Sequence, residues 1–480
     1  MPAALHPAGG APRPILSPAV APAAAPAAWH GLRRRRRWLV RAGALAGPGG
    51  LAFLTACAGR GGDPAGRSKG PVTLTFHSPA NPNEQGMFDR MLDAFQQAQP
   101  RFKVEREYSA ASWEQIQARI FGEAAADVQR VNNDDVFVLL TTGALKGLDD
   151  YVKRDLKRGD YYDIVFKSRV GPGDELGAAV VGAAPSVIFY NTEHFRQANV
   201  TPPADWSKGW TLAEFDAALQ KLLQLHRAGG ASNRWAYYDE DKAVQYHLWN
   251  AGFRPYNADE TKATFLTPPA VEFLTTYQDW YTRKGYALPV PAPEGDGATR
   301  AFNEGRLSMH LTGMGFTSSI SKDLSWDIAP VFKLKEATTE NAERCWCIPL
   351  HSRQHEEAWE LVRWLFGRQA QEEMARVDWA VPVLKSVAEG PVFNDATRTP
   401  AHRGVFHQGV ANDVPTLNNP MAGQYQVWFS RTTAELRSGQ KTPQEFLRER
   451  ERLADDLIRQ TAWDRKTGWR KGWRMQKSPG

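Results

Sequence analysis

Three polar stretches and a few tryptophans hold most of the side chains that could do chemistry in this chain. His77-Ser78-Pro79-Ala80-Asn81-Pro82-Asn83-Glu84 offers an imidazole, amides and a carboxylate. Asn132-Asn133-Asp134-Asp135 sets amides beside two acids, and Tyr237-Tyr238-Asp239-Glu240 sets phenols beside two more. Trp249, in Tyr246-His247-Leu248-Trp249, and Trp346 and Trp379 stand out among 17 tryptophans. Aromatic faces pack on C–H surfaces while planar amides and carboxylates take hydroxyls, so the set suits reversible binding of a small hydroxyl-rich ring. Covalent chemistry leaves no comparable mark. No Gly-x-Ser-x-Gly elbow joins a strand to a helix, and neither His-Glu-x-x-His nor a glycine-rich phosphate loop is present. A glycan-active enzyme would need two carboxylates a few ångströms apart, and no spacing singles out such a pair. Cys345 and Cys347 are too close in sequence for an unstrained bridge. No His or Cys stands near them at regular zinc spacing, so they read as packed thiols, and no metal or cofactor is expected.

These residues need elements to hold them. Pro71 to His77 alternates with period two and predicts a strand, and Phe102 to Tyr108 predicts another. Between them Phe88, Met91, Leu92 and Phe95 recur at helical spacing over Met87 to Ala98, ahead of Pro100. Strand–helix–strand implies an α/β layer with a largely parallel sheet. Ser186 to Tyr190 reads as a short apolar strand. Thr211 with Glu214 forms a capping box for a helix bearing Leu212, Phe215, Leu219 and Leu222. Val271 to Tyr281 and Glu356 to Val377 read as helices, and Thr442-Pro443 starts another through Ile458. In α/β sheets ligands sit at the carboxyl ends of strands, which places His77, Asn81 and Glu84, and then Asn132 and Asp134, where a ligand would be met. Helix capping is the competing role for each of them.

The N-terminus says where the protein works. Arg33 to Arg37 precede a mildly apolar stretch from Ala42 to Ala56, and Leu54-Thr55-Ala56-Cys57 closes it. Charged, apolar and small residues in that order form an export signal. The apolar part is too short and too glycine-rich for a span of about 20 residues. Leu54 to Cys57 resembles a bacterial lipobox, whose cysteine takes a lipid, and Arg35-Arg36-Arg37-Trp38-Leu39 resembles a twin-arginine export motif. Residues 1–57 are thus a signal peptide with an Ala/Pro-rich extension, and 58–70 a flexible tether. The formal charge of +6 misleads: residues 1–57 hold seven arginines and no acid, leaving −1 without them. Residues 459–480 hold seven Lys/Arg against Asp464, so Ala58 to Ile458 stands near −7. No basic face for nucleic acid is expected on that body; the basic, Trp-containing tail reads as solvated.

The remaining motifs fall in a known order. Asp127-Val128, then Gly143-Ala144-Leu145-Lys146-Gly147-Leu148-Asp149-Asp150, come first. Phe189-Tyr190-Asn191-Thr192-Glu193-His194-Phe195 and Pro202-Pro203-Ala204-Asp205-Trp206 come next. They are followed by Phe302 to Met309, Trp379-Ala380-Val381-Pro382-Val383-Leu384-Lys385-Ser386 and Leu436 to Glu445. Together they resemble family 1 of the extracellular solute-binding proteins, the maltose-binding-protein-like receptors of ABC importers, over Pro71 to Ile458. The resemblance implies an α/β, two-lobed periplasmic-binding-protein fold of type II with a ligand cleft at a multi-crossing hinge. It places crossings near Gly182 to Ser186, near Trp326 to Pro330 and just after Trp379. Lobe one would hold 71–184 and 327–380, and lobe two 185–326 and 381–458. Leu311-Thr312-Gly313-Met314-Gly315-Phe316 corresponds to the family's ligand loop without its tryptophan, so Gly313, Met314 and Phe316 join Tyr238, Asp239 and Trp249 as candidates. The implied function is a monomeric, lipid-anchored periplasmic or cell-surface receptor. It would capture a carbohydrate by hinge closure and pass it to an ABC permease, without catalysis. A polyamine, a glycerophosphodiester or a sensor role on the same fold are the alternatives, with a secreted glycan-active enzyme more remote.

Overall fold

The first strand, β1 (Val72–Pro79), runs straight into α1 (Pro82–Ala98). The Asn81 side chain accepts from the N–H groups of Asn83 and Glu84, and Glu84 Oε2 accepts from Asn81 N at 2.8 Å. That capping box and Pro82 start the helix a turn before the apolar spacing shows it. The computed structural model describes residues 70–461 apart from 110, 167–168, 171–174, 231 and 293–296. Between 415 and 432 it includes only Asn419, Met421, Tyr425, Trp428 and Phe429, and beyond 461 only 463–464 and 468–469. Cys57, the signal segment 1–57, nearly all of the tether and most of the basic tail lie outside the described residues. Among the described residues no helix is long and apolar enough to cross a membrane.

The chain continues through β2 (Phe102–Ser109), α2 (Trp113–Phe121), β3 (Val128–Val131), α3 (Asn133–Thr141) and α4 (Asp149–Asp155). A small hairpin of β4 (Arg169–Val170) and β5 (Glu175–Leu176) leads to the long β6 (Ala179–Asn191). Then come α5 (Thr192–Gln197), α6 (Leu212–Ala228), β7 (Trp235–Asp239), α7 (Ala243–Asn250), α8 (Pro268–Tyr281), α9 (Ala298–Asn303), β8 (Leu307–Gly313) and β9 (Trp326–Ala329). After β10 (Asn341–Cys347) follow α10 (His355–Leu365), α11 (Arg368–Arg376), β11 (Val381–Pro382), α12 (Lys385–Ala388) and α13 (Gly404–Ala411). A late helix spans Pro443–Thr461. Where one helix was expected over 356–377 there are two, because Gly367 takes an extended backbone (ψ 154°) as the cap of α11.

The strands form one nine-stranded sheet in the order β2-β1-β3-β10-β6-β8-β7, with β9 and β11 also on β6. It is mixed, not largely parallel: β1 pairs β2 and β3 in parallel, and β7 pairs β8 in parallel, but every pairing of β6 and β10 is antiparallel. The strand–helix–strand opening reports only its own local layer. β6 holds both halves. Its Ala179–Pro185 stretch pairs with β10, and Ser186–Tyr190 pairs with β8. All 13 residues of β6 are buried. The handover falls at Pro185, which has no N–H to donate to a ladder.

Two further chain segments pass beside this point. Thr339 Oγ1 donates to Ser186 O at 2.6 Å, and Ser186 N donates to Glu340 O at 3.0 Å. Thr339 also bridges in parallel to Asp413, and Asn341 Nδ2 donates to Asp413 Oδ1 at 2.8 Å. These pairings correct two of the expected crossings. Residues 327–338 stay with the second half, since β9 pairs with Ile188–Asn191 and Lys333 N donates to Trp210 O. The chain passes back at 339–341. Residues after Trp379 remain with the first half, because β11 pairs with Gly182 and Ala183, and Tyr162 N donates to Val383 O. α13 then packs along β6, with Gly409 close against Pro185, before Asp413 reaches Thr339. Motif order marks the segments, but which strand each segment joins is a tertiary choice.

Gln371 ties three of these elements together inside the first half. Fully buried on α11, it donates to Val181 O and Leu365 O at 2.8 and 2.7 Å and accepts from Val383 N at 2.8 Å. Gln371→Leu keeps the bulk and orphans these backbone groups. It should lower stability by about 2–4 kcal/mol in urea unfolding, since each unsatisfied buried group costs about 1–3 kcal/mol. An unchanged midpoint would show that the groups find other partners.

Candidate functional site

The polar ends of the strands in both halves approach one another near Glu340, in the crossing segment. Lys242, just before α7, lies with its Nζ 3.3 Å from Glu340 Oε2 and 3.6 Å from Glu240 Oε2. The Thr312 hydroxyl, near the end of β8, donates to Glu240. Gly313 follows, and a Cβ added there would lie 3.9 Å from Lys242 Nζ. Glu340 raises the Lys242 pKa by its charge, so this ammonium is firmly protonated.

From the first half, Asn132 occupies the N-cap of α3 but makes no capping bond; its amide reaches Asp134 Oδ2 at 3.5 Å. Burial, reinforced by the charge of Glu340, pushes the Asp134 carboxyl up to about 7. Burial and then the neighbouring Asp134 charge push Asp135 up to about 7 as well. Near neutral pH each is therefore partly protonated, and can donate as well as accept a hydrogen bond. That is what a hydroxyl-bearing ligand needs.

The first half also gathers an aromatic and cationic layer. Trp346 lies between Phe76 and Phe88 and 5.9 Å from Trp379. Arg130 stands 4.8 Å over the Trp346 ring and 5.7 Å from that of Trp113, and Arg344 stands 5.1 Å over Trp379. Trp379 Nε1 donates to Glu84 Oε1 at 2.9 Å. Trp113, opening α2 behind a Ser112–Gln115 capping box, is 37% exposed.

Glu84, Trp346 and Trp379 thus come together in one cluster, and Asn132 and Asp134 meet Gly313 through Glu340 and Lys242. Tyr238 is half-buried beside His310, with ring centroids 5.5 Å apart. Several other expected ligand contacts turn inward. His77 is fully buried; Gln129 Nε2 donates to its Nδ1 at 2.6 Å, so its Nε2–H donates to Ser109 Oγ at 2.8 Å. Burial holds its pKa down at about 4, and the ring serves as a neutral strut. Asn81 is a helix cap. Trp346 has no exposed surface, so Trp113 replaces it as the accessible indole. Met314 is fully buried, and Phe316 packs on Phe189, Phe302 and His310 in the core of the second half. Trp249 carries Arg254 over its ring at 4.2 Å.

Asp239 departs most from expectation. It is wholly buried and accepts from the hydroxyls of Tyr277, Tyr281 and Tyr237 at 2.9, 2.5 and 3.2 Å. Arg437 is 3.1 Å from its Oδ1 and His247 is 3.5 Å from its Oδ2. With no exposed surface, its carboxylate is engaged by these internal donors. Burial would raise its pKa, but Arg437 and the other donors hold it below the usual carboxylate range. The side chains that the structure adds to these clusters beyond the sequence candidates are Trp113, Arg130, Lys242, Glu340 and Arg344. Trp113 opens the helix that follows β2, and Arg130 is a charge inside a four-residue buried strand; both were available signals.

Arg437→Met should cost about 3–5 kcal/mol by stranding the buried Asp239 charge, seen as a lower urea midpoint; a loss below 1 kcal/mol would refute the structural role. Asp134→Asn should behave oppositely. The folded pKa of Asp134 lies above its unfolded value, so ionising it costs stability as pH rises from about 4 to about 7. The Asn variant should match the parent near pH 4 and gain on it up to pH 7. A constant offset in thermal melts across that range would contradict the shift.

Relatives set these features in context. The bacterial extracellular solute-binding protein family matches residues 90–401. A Brucella abortus protein named as a binding protein is 22% identical over 376 residues, covering 74% of this chain and 83% of its own. Among solved structures, an ABC substrate-binding protein from Listeria monocytogenes, in complex with cycloalternan, aligns with a TM-score of 0.70 at 19% identity. It covers 81% of this chain and 99% of that one. The sugar-binding protein MalE of Xanthomonas citri aligns with a TM-score of 0.67 at 16% identity, over 81% and 98%. The mixed α/β sheet with its shared central strand matches the two-lobed architecture of these proteins. With a family match across most of its length, this chain belongs to the bacterial extracellular solute-binding proteins.

Proposed function

We propose that the chain is the carbohydrate-binding subunit of an ABC importer, held at the membrane by a lipid on Cys57. The observation that carries this reading is the seam itself. An exposed indole, Trp113, and a half-buried phenol, Tyr238, stand on opposite halves, with Asn132, Asp134, Glu240 and Lys242 set between strand ends. Aromatic faces for C–H surfaces and mixed donors and acceptors for hydroxyls are the two requirements of a sugar ring. The neighbours whose names include cycloalternan and sugar binding support the class of ligand.

Lobe one would comprise 71–185 with 341–399, and lobe two 186–338 with the segment after α13. The crossings at Pro185/Ser186, 339–341 and 412–414 would form the hinge. Closure over the solute is the whole mechanism: no bond is made or broken, and the energy comes from surface removed from water on both lobes. The lipid and the tether keep the receptor near its permease at high effective concentration.

A thermal-shift screen of the full chain against neutral and acidic saccharides, polyols, polyamines and glycerophosphodiesters tests the reading. A saccharide at 100 times its Kd should add about 2.7 kcal/mol of stability. Trp113→Ala and Tyr238→Ala should each weaken binding at least tenfold while leaving the unliganded melt unchanged. Stabilisation by polyamines alone would overturn the carbohydrate assignment.

A further inference from the structure

Arg130 and Arg344 belong to no ion pair among the described residues, although both lie deep in the first half. Arg130 is 6% exposed. Its guanidinium donates only to carbonyl oxygens: Cys345 O at 2.8 Å, and Val131 O and Glu343 O at 3.4 Å. Arg344, half-buried, has two long contacts, to Ala342 O at 3.4 Å and Trp379 O at 3.5 Å, and its buried Nε has no partner. Burial lowers the pKa of both, and the charge of Arg344 lowers that of Arg130 further, to about 9. The carboxylates in range are Glu84, which acts on both, and Glu343, which acts on Arg130. Glu84 is already bonded through one oxygen to Asn81 N and through the other to Trp379 Nε1.

Two buried guanidiniums within electrostatic range of one another and in no ion pair are an unbalanced arrangement for a protein interior. Each guanidinium lies over an indole, Arg130 at 4.8 Å from Trp346 and Arg344 at 5.1 Å from Trp379. A sugar hydroxyl could accept one of their N–H hydrogens but would leave the mutual repulsion in place. A carboxylate would relieve it and would match the planar fork with two parallel hydrogen bonds. We propose that Arg344, backed by Arg130, receives a carboxylate of the solute, so that the ligand is an acidic sugar of the uronic-acid class. This inference rests on the carbohydrate reading above and narrows it.

Calorimetric titration of the full chain with galacturonate, glucuronate and mannuronate oligomers, each against its neutral counterpart, tests it. At least one uronate should bind at least tenfold tighter than the neutral sugar, with an affinity that falls as salt rises. Arg344→Gln should lower uronate affinity at least tenfold, and Arg344→Lys should recover part of it, both with unchanged circular dichroism. Neutral sugars binding as tightly as uronates, or indifference to Arg344→Gln, would overturn the acidic subsite and leave the carbohydrate reading standing. Binding of spermidine with no saccharide, charged or neutral, would overturn both; failure of every uronate overturns the subsite.

Discussion

One strand belongs to both halves of this molecule. β6 gives its first seven residues to one half-sheet and the rest to the other, and every residue along it is buried. A strand fixed on both sides bends little within either half, and its partners change at Pro185 and Ser186, where the proposed hinge lies. The other passes are stitched to that point by Thr339, Glu340 and Asn341. Short hydrogen-bonded passes allow a hinge rotation while resisting separation, and that is the mechanical requirement of a receptor that must close and reopen.

The same crossing organises the electrostatics. Glu340 bonds to Ser186 through its backbone, and its side chain pairs with Lys242 of the second half and helps raise the Asp134 carboxyl of the first. Changes in protonation or occupancy at the seam are therefore felt at the element that moves. In the second half, one buried carboxylate is held by several donors. The Asp239–Arg437 cluster and its three tyrosines fix the helices behind the second half, away from any ligand.

Much of this was legible in sequence, for reasons that differ by element. Period-two and helical spacing find β1, β2 and α6 because those elements bury one face. The Thr211–Glu214 box is a local signal and forms as read. Motif order gave the family. Site residues were harder because loop position does not say which way a side chain points. Asp239 and Phe316 sit in the right segments but turn into the core, where tyrosines or phenylalanines distant in sequence await them. Trp346 offers an aromatic face to a ligand as readily as to a core, and its large apolar surface takes it into the interior. Lys242 and Glu340 acquire meaning only through each other, 98 positions apart in the chain.

Closure about β6 is the central claim, and a distance measured across the hinge tests it most directly. Gln97 on α1 and Gln220 on α6 are exposed, one in each half, and accept spin labels as cysteines. Cys345 and Cys347 are buried with their thiol pKa values pushed up, so they stay unlabelled, and Cys57→Ser removes the remaining thiol. Pulsed electron–electron resonance should show a distance distribution that shifts by several ångströms and narrows when a stabilising saccharide is added. A distribution unchanged at saturating ligand would mean that the two halves are rigid with respect to one another, and would contradict a hinge at Pro185.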